Sequence, residues 1–475
     1  MTRQNPGPSL GFVLGTLSDY QSTGDEPVVS AFVVDSREAI PGSAFVAFRG
    51  ERVDGHDYVS EAFSQGAIVA LIERPVTGSD WPVVDVRKSP VSMPRQLPFA
   101  ILVDDTMSAI QRLARAWRAR FDTRLIGITG SVGKTSTKEM IASVLSRQYR
   151  TLKSEGNQNN EIGVPLTLLK LRTDHQRAII EMGMYAQGEI DLLCDLARPS
   201  VGVVTMIGPV HLERLGTMEA IVAAKQELVA ALPEDGVAVL NMDDPLVMGM
   251  ASHTKATVFT YGLDSGADIW ADHIESMGLD GVRFTLHHLG EELNVRVPLL
   301  GRHSVHTALR AAAVGIIEGM EWDEIVAGLG DRSAQLRLVV IPGPRGSLLV
   351  DDTYNSSPDS ALAALNLLAD LEGRRIAVLG DMLELGDVEL QAHRVVGRRA
   401  ADVADTLITV GSRARTIGLE ALEVGMAADH VKMVGDAPAA VPLLEELIQP
   451  GDVILVKGSL GMHMDRIVTA VGRLD

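Results

Sequence analysis

Short apolar runs recur along the chain, each closed by glycine or a polar cluster, and most are followed by a segment with helical spacing. That alternation predicts parallel strands with crossover helices, an α/β fold. Residues 28–74 read as a small α/β unit. Within it VVSAFVVDSRE and SAFVAFRG are strands around a Pro41-Gly42 turn, and DGHDYVSEAFSQGAIVALIE is loop, helix, Gly66 stop and strand. The proline-rich WPVVDVRKSPVSMPRQLP reads as an irregular connection, and VDDTMSAIQRLARAWRARF as an amphipathic helix.

In LIGITGSVGKTSTK, Leu125, Ile126 and Ile128 form a buried strand and a glycine-rich turn follows. Met140, Ile141, Val144 and Leu145 then share one helical face. AIIEMGM (178–184) and GVVTMIG (202–208) are further buried strands. TMEAIVAAKQELVAAL (217–232) is a helix with Thr217 as N-cap and an apolar stripe of Ile221, Ala224, Leu228 and Leu232. GVAVLNMDDP is a strand ending in Asp243 and Asp244, residues 255–300 alternate β-like runs, and GRHSVHTALRAAAVGIIEG (301–319) is an alanine-rich helix. From about residue 330, SLLVDDTY, RRIAVLGDM, DTLITVG, HVKMVG and DVILVKGS alternate with helical segments and predict a doubly wound parallel sheet. The 475 residues suit three domains, with boundaries expected at 1–98, 99–328 and 329–475.

Charge narrows the partners. Lys and Arg number 43 against 62 Asp and Glu, a net charge of −19, which argues against nucleic acid and anionic membrane surfaces. Cys194 is the only cysteine, so no internal disulfide forms. No basic segment followed by a long apolar core opens the chain, and no apolar run is long enough to span a membrane. A cytoplasmic protein without membrane insertion is expected.

The candidate chemistry centres on Gly130, Ser131, Val132, Gly133, Lys134, Thr135 and Ser136. Strand, glycine-rich turn and helix is the order a phosphate-binding loop requires, because the turn's N–H groups and the helix N-terminus favour an anion. Lys134 would reach the β and γ phosphates and the Thr135 hydroxyl would ligate magnesium. The strict G-x-x-x-x-G-K-[ST] pattern is not met, since Ile128 stands at its first position. Glu181 at one strand end and His211 beyond another would converge near such a loop as metal ligands, because sheet C-termini face one crevice. Lys225 sits on the apolar stripe of its helix, where snorkelling and a functional role are both open. Asn157, Asn159, Asn160 and Glu161 crowd one loop, and turn chemistry alone also accounts for them. Asp35, Ser36 and Arg37 close a strand, either at a ligand site or as a surface turn.

Taken together, DSREAIPGSAFVAFRGERVDGH, TGSVGKTSTKEM, NQNNEIGVPLTLL, DDTYNSSPDS and LGDMLELG resemble the Mur ligase family of peptidoglycan precursor synthesis, from about Val34 to Ile467. The resemblance implies three α/β domains: a small N-terminal domain binding a uridine nucleotide, a central phosphate-loop ATPase-type domain, and a C-terminal Rossmann-like domain. It implies an ATP-dependent amide ligase that joins D-alanyl-D-alanine to UDP-N-acetylmuramoyl-tripeptide through an acyl phosphate, with two magnesium ions, working as a monomer. Gly130 to Ser136 would hold ATP phosphates, and Thr135 and Glu181 would ligate one magnesium. His211 would ligate the second, beside a carbamylated Lys225. Arg337 would approach the γ-phosphate and Asp352 the ribose. His303 would belong to the nucleotide site, Asp35, Ser36 and Arg37 to the uridine diphosphate site, and Asn157 and Asn160 to the substrate site.

Two departures stand out. The family's G-x-H-N-x-x-N keeps His303 but has Ser304 and Thr307 in place of the asparagines, which predicts weaker discrimination of the base. Its K-G-S-R reads Lys457-Gly458-Ser459-Leu460. Rival readings are a sister ligase adding another amino acid, a folate polyglutamate ligase, or a phosphate-loop NTPase switch that performs no ligation.

Overall fold

Three sheets and the helices between them make a three-domain α/β fold. The computed structural model describes residues 7–50, 53–78, 80–331 and 338–472. Its chain divides into two compact units, the first of Met1–Gly127, Tyr149–Met184 and Gly188–Ser200, the second of Ile128–Gln148, Tyr185–Gln187 and Val201–Asp475.

In the first unit, Phe32–Val33 (β1), Ala44–Val46 (β2), Val69–Ile72 (β3), Val83–Asp85 (β4) and Phe99–Leu102 (β5) form a parallel sheet in the order β1-β2-β3-β5-β4. This sheet runs through Leu102, where the apolar FAIL run pairs with β3 and β4. The proline-rich connection also contains a strand, β4, whose central Val84 is buried. The helix Leu10–Leu17, unforeseen in the sequence, packs Phe12 edge-on against Trp117 of the helix Thr106–Arg118 at 5.0 Å. Arg124–Thr129 (β6) begins here, beside Arg177–Glu181 (β8), which pairs in parallel with Thr151–Lys153 (β7).

In the second unit the end of β6 adjoins Val201–Val204 (β9), followed by Val237–Asn241 (β10) and Thr257–Gly262 (β11) in parallel. Ile269–Ser276 (β12) joins β11 in parallel, and Val282–His288 (β13) and Glu291–Val297 (β14) follow it antiparallel. The C-terminal sheet comprises Val339–Pro342 (β15), Leu348–Asp352 (β16), Arg375–Gly380 (β17), Thr406–Val410 (β18), Val431–Val434 (β19) and Val453–Lys457 (β20), in the order β15-β16-β20-β17-β18-β19. Only its edge strand β15 runs antiparallel, so the expected doubly wound sheet gains one strand. Helices cover both faces: Leu365, Leu368, Val396 and Ile417 pack on one, Leu444, Ile448, Ile467 and Val468 on the other. Burial of both faces explains why these strands read as continuous apolar runs.

Candidate active site

Tight packing shapes the phosphate loop. Gly130 has φ +140°, and a Cβ there would lie 1.8 Å from Thr205 Oγ1, so only glycine fits. Gly133, at φ 87°, precedes the helix Lys134–Leu145. Ser131 is clipped to the next loop: its hydroxyl donates to Gly208 O and accepts from Gly208 N–H, each at 2.9 Å. Its own N–H donates to Met206 O. The Ser131 side chain thus braces the loop against its neighbour. The Thr205 hydroxyl donates to Val132 O at 2.7 Å, fixing the loop from below. Lys134 Nζ donates to Gly130 O at 2.7 Å and to Ser131 O at 3.4 Å. The first turn of the helix leaves N–H groups without intrahelical acceptors, an anion site by construction. Thr135 lies in that turn, buried, and Ser136 follows it.

His211, with φ 62°, precedes the short helix Leu212–Leu215, and its Nδ1 lies 2.5 Å from Glu384 Oε2. A carboxylate only accepts, so Nδ1 carries the proton and Nε2 is left as the basic nitrogen. Tyr185 meets the imidazole edge-on at 5.1 Å, and Arg214 lies over that tyrosine ring. Burial lowers the His211 pKa, against the opposing pull of Glu384 and with help from Lys225 and Lys134. Glu384 belongs to LGDMLELG, a stretch singled out in the sequence without a residue role.

Lys225 is 2% exposed on the helix Met218–Ala230, which Thr217 caps through Ala220 N–H. Burial, then repulsion from Lys134, pushes its pKa well down. Both effects disfavour the ammonium relative to the neutral amine.

His303 precedes the helix Ser304–Ile317 with its side chain open to solvent, yet the protein crowded around it, then the neighbouring His306, Lys457 and Arg310, holds its pKa down at about 4. It lines a cavity of about 390 Å³ together with Arg302, Asp359 and Asn366. Asp359 starts the helix Pro358–Asp370, and its Oδ2 would be 2.8 Å from a Cβ at Gly208. Burial, then Asp244, raises the Asp359 pKa. This carboxyl beside the loop was not foreseen; its place in DDTYNSSPDS is the signal. Asp352 is partnered by the buried Lys457 at 2.5 Å, which also donates to Asn355 O. The Ser304 hydroxyl donates to Leu300 O at 2.7 Å, and the Thr307 hydroxyl accepts from Arg310 at 2.9 Å. The Ser304 proton and one Thr307 lone pair are thus engaged within the fold. Leu460 is exposed. Arg337 lies outside the described residues.

In the first unit, Asp35 caps a 3-10 turn and pairs with Arg37, whose hydrogen bonds hold the carboxyl down at about 2. Ser36 is buried and donates to Glu61 at 2.7 Å. Asn157 is exposed, and Asn160 Oδ1 accepts from Gly163 N–H at 2.9 Å, a turn-forming role. Asn159, between them, is the residue that reaches the buried Glu181, donating to Oε1 at 3.0 Å.

Comparison with known proteins matches the whole architecture. The Mur ligase family, catalytic domain, matches residues 29–118; the Mur ligase middle domain matches 128–315; and the Mur ligase, glutamate ligase domain, matches 336–460. The UDP-N-acetylmuramoyl-tripeptide–D-alanyl-D-alanine ligase of Bacillus subtilis (strain 168) is 38% identical over 461 residues, covering 96% of this chain and 95% of that protein. The Escherichia coli (strain K12) ligase of the same name is 35% identical, covering 97% and 98%. MurF from Acinetobacter baumannii superposes with a TM-score of 0.82 at 32% identity, over 98% of this chain and 99% of that one. MurF ligase from Thermotoga maritima, solved in complex with ADP, gives a TM-score of 0.76 at 27% identity, over 94% and 97%. With three family domains in order and such relatives along nearly its full length, the chain belongs to the Mur ligase family and groups there with the UDP-N-acetylmuramoyl-tripeptide–D-alanyl-D-alanine ligases.

Proposed function

We propose that this chain is the ATP-dependent ligase that joins D-alanyl-D-alanine to UDP-N-acetylmuramoyl-tripeptide in peptidoglycan precursor synthesis. The observation that carries it is a glycine-shaped phosphate loop bearing Lys134, set in a chain 38% identical over 461 residues to a ligase of that name. The tripeptide carboxylate attacks the γ-phosphorus of ATP, and ADP leaves with the electrons of the broken P–O bond. The resulting acyl phosphate is attacked by the dipeptide amine; the amide forms, phosphate leaves and the amine's proton passes to solvent. A bare carboxylate is a poor acyl donor, and phosphorylation gives it a leaving group. Positioning and charge neutralisation are the protein's main contributions to such a transfer.

In this reading Lys134 leaves its loop carbonyls to bind the terminal phosphates, while Gly130, Ser131, Val132, Gly133, Thr135 and Ser136 line them. Asp352 and His303 serve the nucleoside, and Arg337 the γ-phosphate. Asp35, Arg37, Asn157 and Asn160 are assigned to the UDP-linked substrate, with Ser36 as their support through Glu61. Magnesium suits the donor set. It prefers hard oxygen and takes few protein ligands when phosphates supply the rest, and among the described residues no three His, Cys, Asp or Glu side chains converge into a metal cage. Thr135 and Glu181 would hold one ion and His211, with Lys225 as its carbamate, a second; bound magnesium would neutralise phosphate charge. Domain boundaries near 98 and 328, a monomeric state, a cytoplasmic location and independence of nucleic acid complete the reading. No helix among the described residues is long and apolar enough to cross a membrane.

Phosphate release with ATP, magnesium, UDP-N-acetylmuramoyl-tripeptide and D-alanyl-D-alanine tests it. Release should require all four, with the pentapeptide as product. ATP hydrolysis indifferent to the UDP-linked substrate would replace ligation with a nucleotide switch.

A further inference from the structure

Behind the phosphate loop lies a charge that the loop motif does not include. Arg310, on the helix Ser304–Ile317, is 5% exposed. Its Nη1 donates to Thr205 O at 3.4 Å and to the Tyr261 hydroxyl at 3.3 Å, and its Nη2 to Thr307 Oγ1 at 2.9 Å. All three acceptors are neutral. No carboxylate among the described residues pairs with the guanidinium, and Nε makes no hydrogen bond. A Cβ built on Gly133 would lie 3.4 Å from Nη2. The cation is therefore packed against the residue where the loop turns into its helix. Thr205, its backbone acceptor, is the residue that holds Val132 and crowds Gly130.

A second buried arginine shows what a purely structural role looks like. Arg118 uses all three nitrogens on backbone carbonyls: Nε to Ala197 at 2.8 Å, Nη1 to Phe121 at 2.7 Å and Nη2 to Thr123 at 3.0 Å. Among the described residues neither arginine has a counter-ion, but two of the three Arg310 bonds are stretched to 3.3 and 3.4 Å and its Nε makes none. Burying a cation without a counter-ion is costly, so the fold bears at this position a charge that internal bonding does not justify. The missing anion lies across one layer of loop backbone, where a nucleotide's phosphates would sit. Coulomb attraction across such a low-dielectric layer remains substantial.

We propose that Arg310 is a positioning cation for the polyphosphate of the bound nucleotide, acting through the Gly133 backbone without touching the ligand. The inference rests on the phosphate-loop reading above and deepens it. It also accounts for Thr307: the hydroxyl that replaces the family's asparagine accepts from Arg310 and holds the guanidinium under the loop.

The test compares Arg310→Gln, Arg310→Met and Arg310→Lys with wild type, using calorimetric affinities for ATP and for AMP and a thermal melt for each protein. The ratio of ATP to AMP affinity should fall about tenfold in whichever neutral variant folds, since only the added phosphate charge feels the lost cation. Arg310→Lys should keep most of the ratio. A ratio unchanged in a folded neutral variant overturns the proposal, as does a ratio that collapses in Arg310→Lys as far as in the neutral variants. Equal weakening of ATP and AMP would mark Arg310 as a structural clamp and overturn it too. Failure of the wild-type protein to bind ATP would instead strike the phosphate-loop reading itself.

Discussion

His211 and Glu384 face each other at 2.5 Å with both backbones in the left-handed region, φ 62° and 63°. Left-handed non-glycine residues are uncommon and mark sites where the surroundings impose the geometry. The carboxylate fixes the imidazole tautomer and leaves Nε2 as the basic nitrogen, the arrangement by which second-layer carboxylates tune histidine metal ligands. Glu384→Gln keeps the shape and removes the charge. The magnesium concentration for half-maximal turnover should rise about tenfold or more, while metal-free nucleotide affinity and the melting temperature stay near wild type. An unchanged magnesium requirement would reduce the pair to a packing contact.

Lys225 should carry a carbamate in the active enzyme. Its buried amine is shifted toward the neutral form, and only that form adds carbon dioxide, giving a carbamate and one proton. Lys225→Ala should be nearly inactive, and short carboxylic acids should restore part of the activity, because the missing group is an oxygen-bearing anion. Rescue by alkylamines alone, with no added 44 Da (about the mass of carbon dioxide) on the wild-type lysine in native mass spectra taken with bicarbonate, would show an ammonium role instead.

Base selection should not depend on Ser304. Its hydroxyl donates to Leu300 O within the fold, so Ser304→Ala should cost about 1 kcal/mol of stability and leave the ATP to GTP ratio of kcat/KM within about twofold of wild type. Unfolding curves and paired kinetics measure both. A larger move in the ratio would return Ser304 to the base-contacting set.

Acid should destabilise the protein through His303. Its folded pKa is about 4, whereas an unfolded histidine titrates near ~6.5. Between these values the unfolded chain binds a proton that the folded chain does not. The contribution is therefore complete above ~6.5 and is lost as the pH falls toward the folded value, with solvent at the exposed imidazole reducing its size. Chemical denaturation at several pH values should show the slope in wild type and lose it in His303→Asn. Parallel curves for the two proteins would contradict the assignment.

Local features were legible in the sequence. The strand, turn and helix of the phosphate loop, the Thr217 cap and strands β16 to β20 all rest on residues adjacent in the chain. Elements lacking a clean period were not: Leu10–Leu17 is apolar on most sides, β4 is short and flanked by prolines, and β15 is a half-exposed edge. Long-range pairings were also beyond reach. His211 meets Glu384 across 173 positions, and Lys457 meets Asp352 across 105. Only tertiary packing chooses such partners, which is why Asn159, Glu384 and Asp359 surfaced as motif members before they had roles.

Lys134 folds back onto Gly130 O and Ser131 O, so the resting loop already solvates its own cation. Ligand capture is then an exchange, in which an arriving anion must displace two carbonyls before it gains anything from the lysine. Chloride or a single inorganic phosphate gains the lysine only net of the contacts it breaks. A triphosphate can engage the freed ammonium and the open helix end in the same event, so its advantage grows with the number of linked phosphates. Competition from within the loop would thereby favour linked phosphates over small anions.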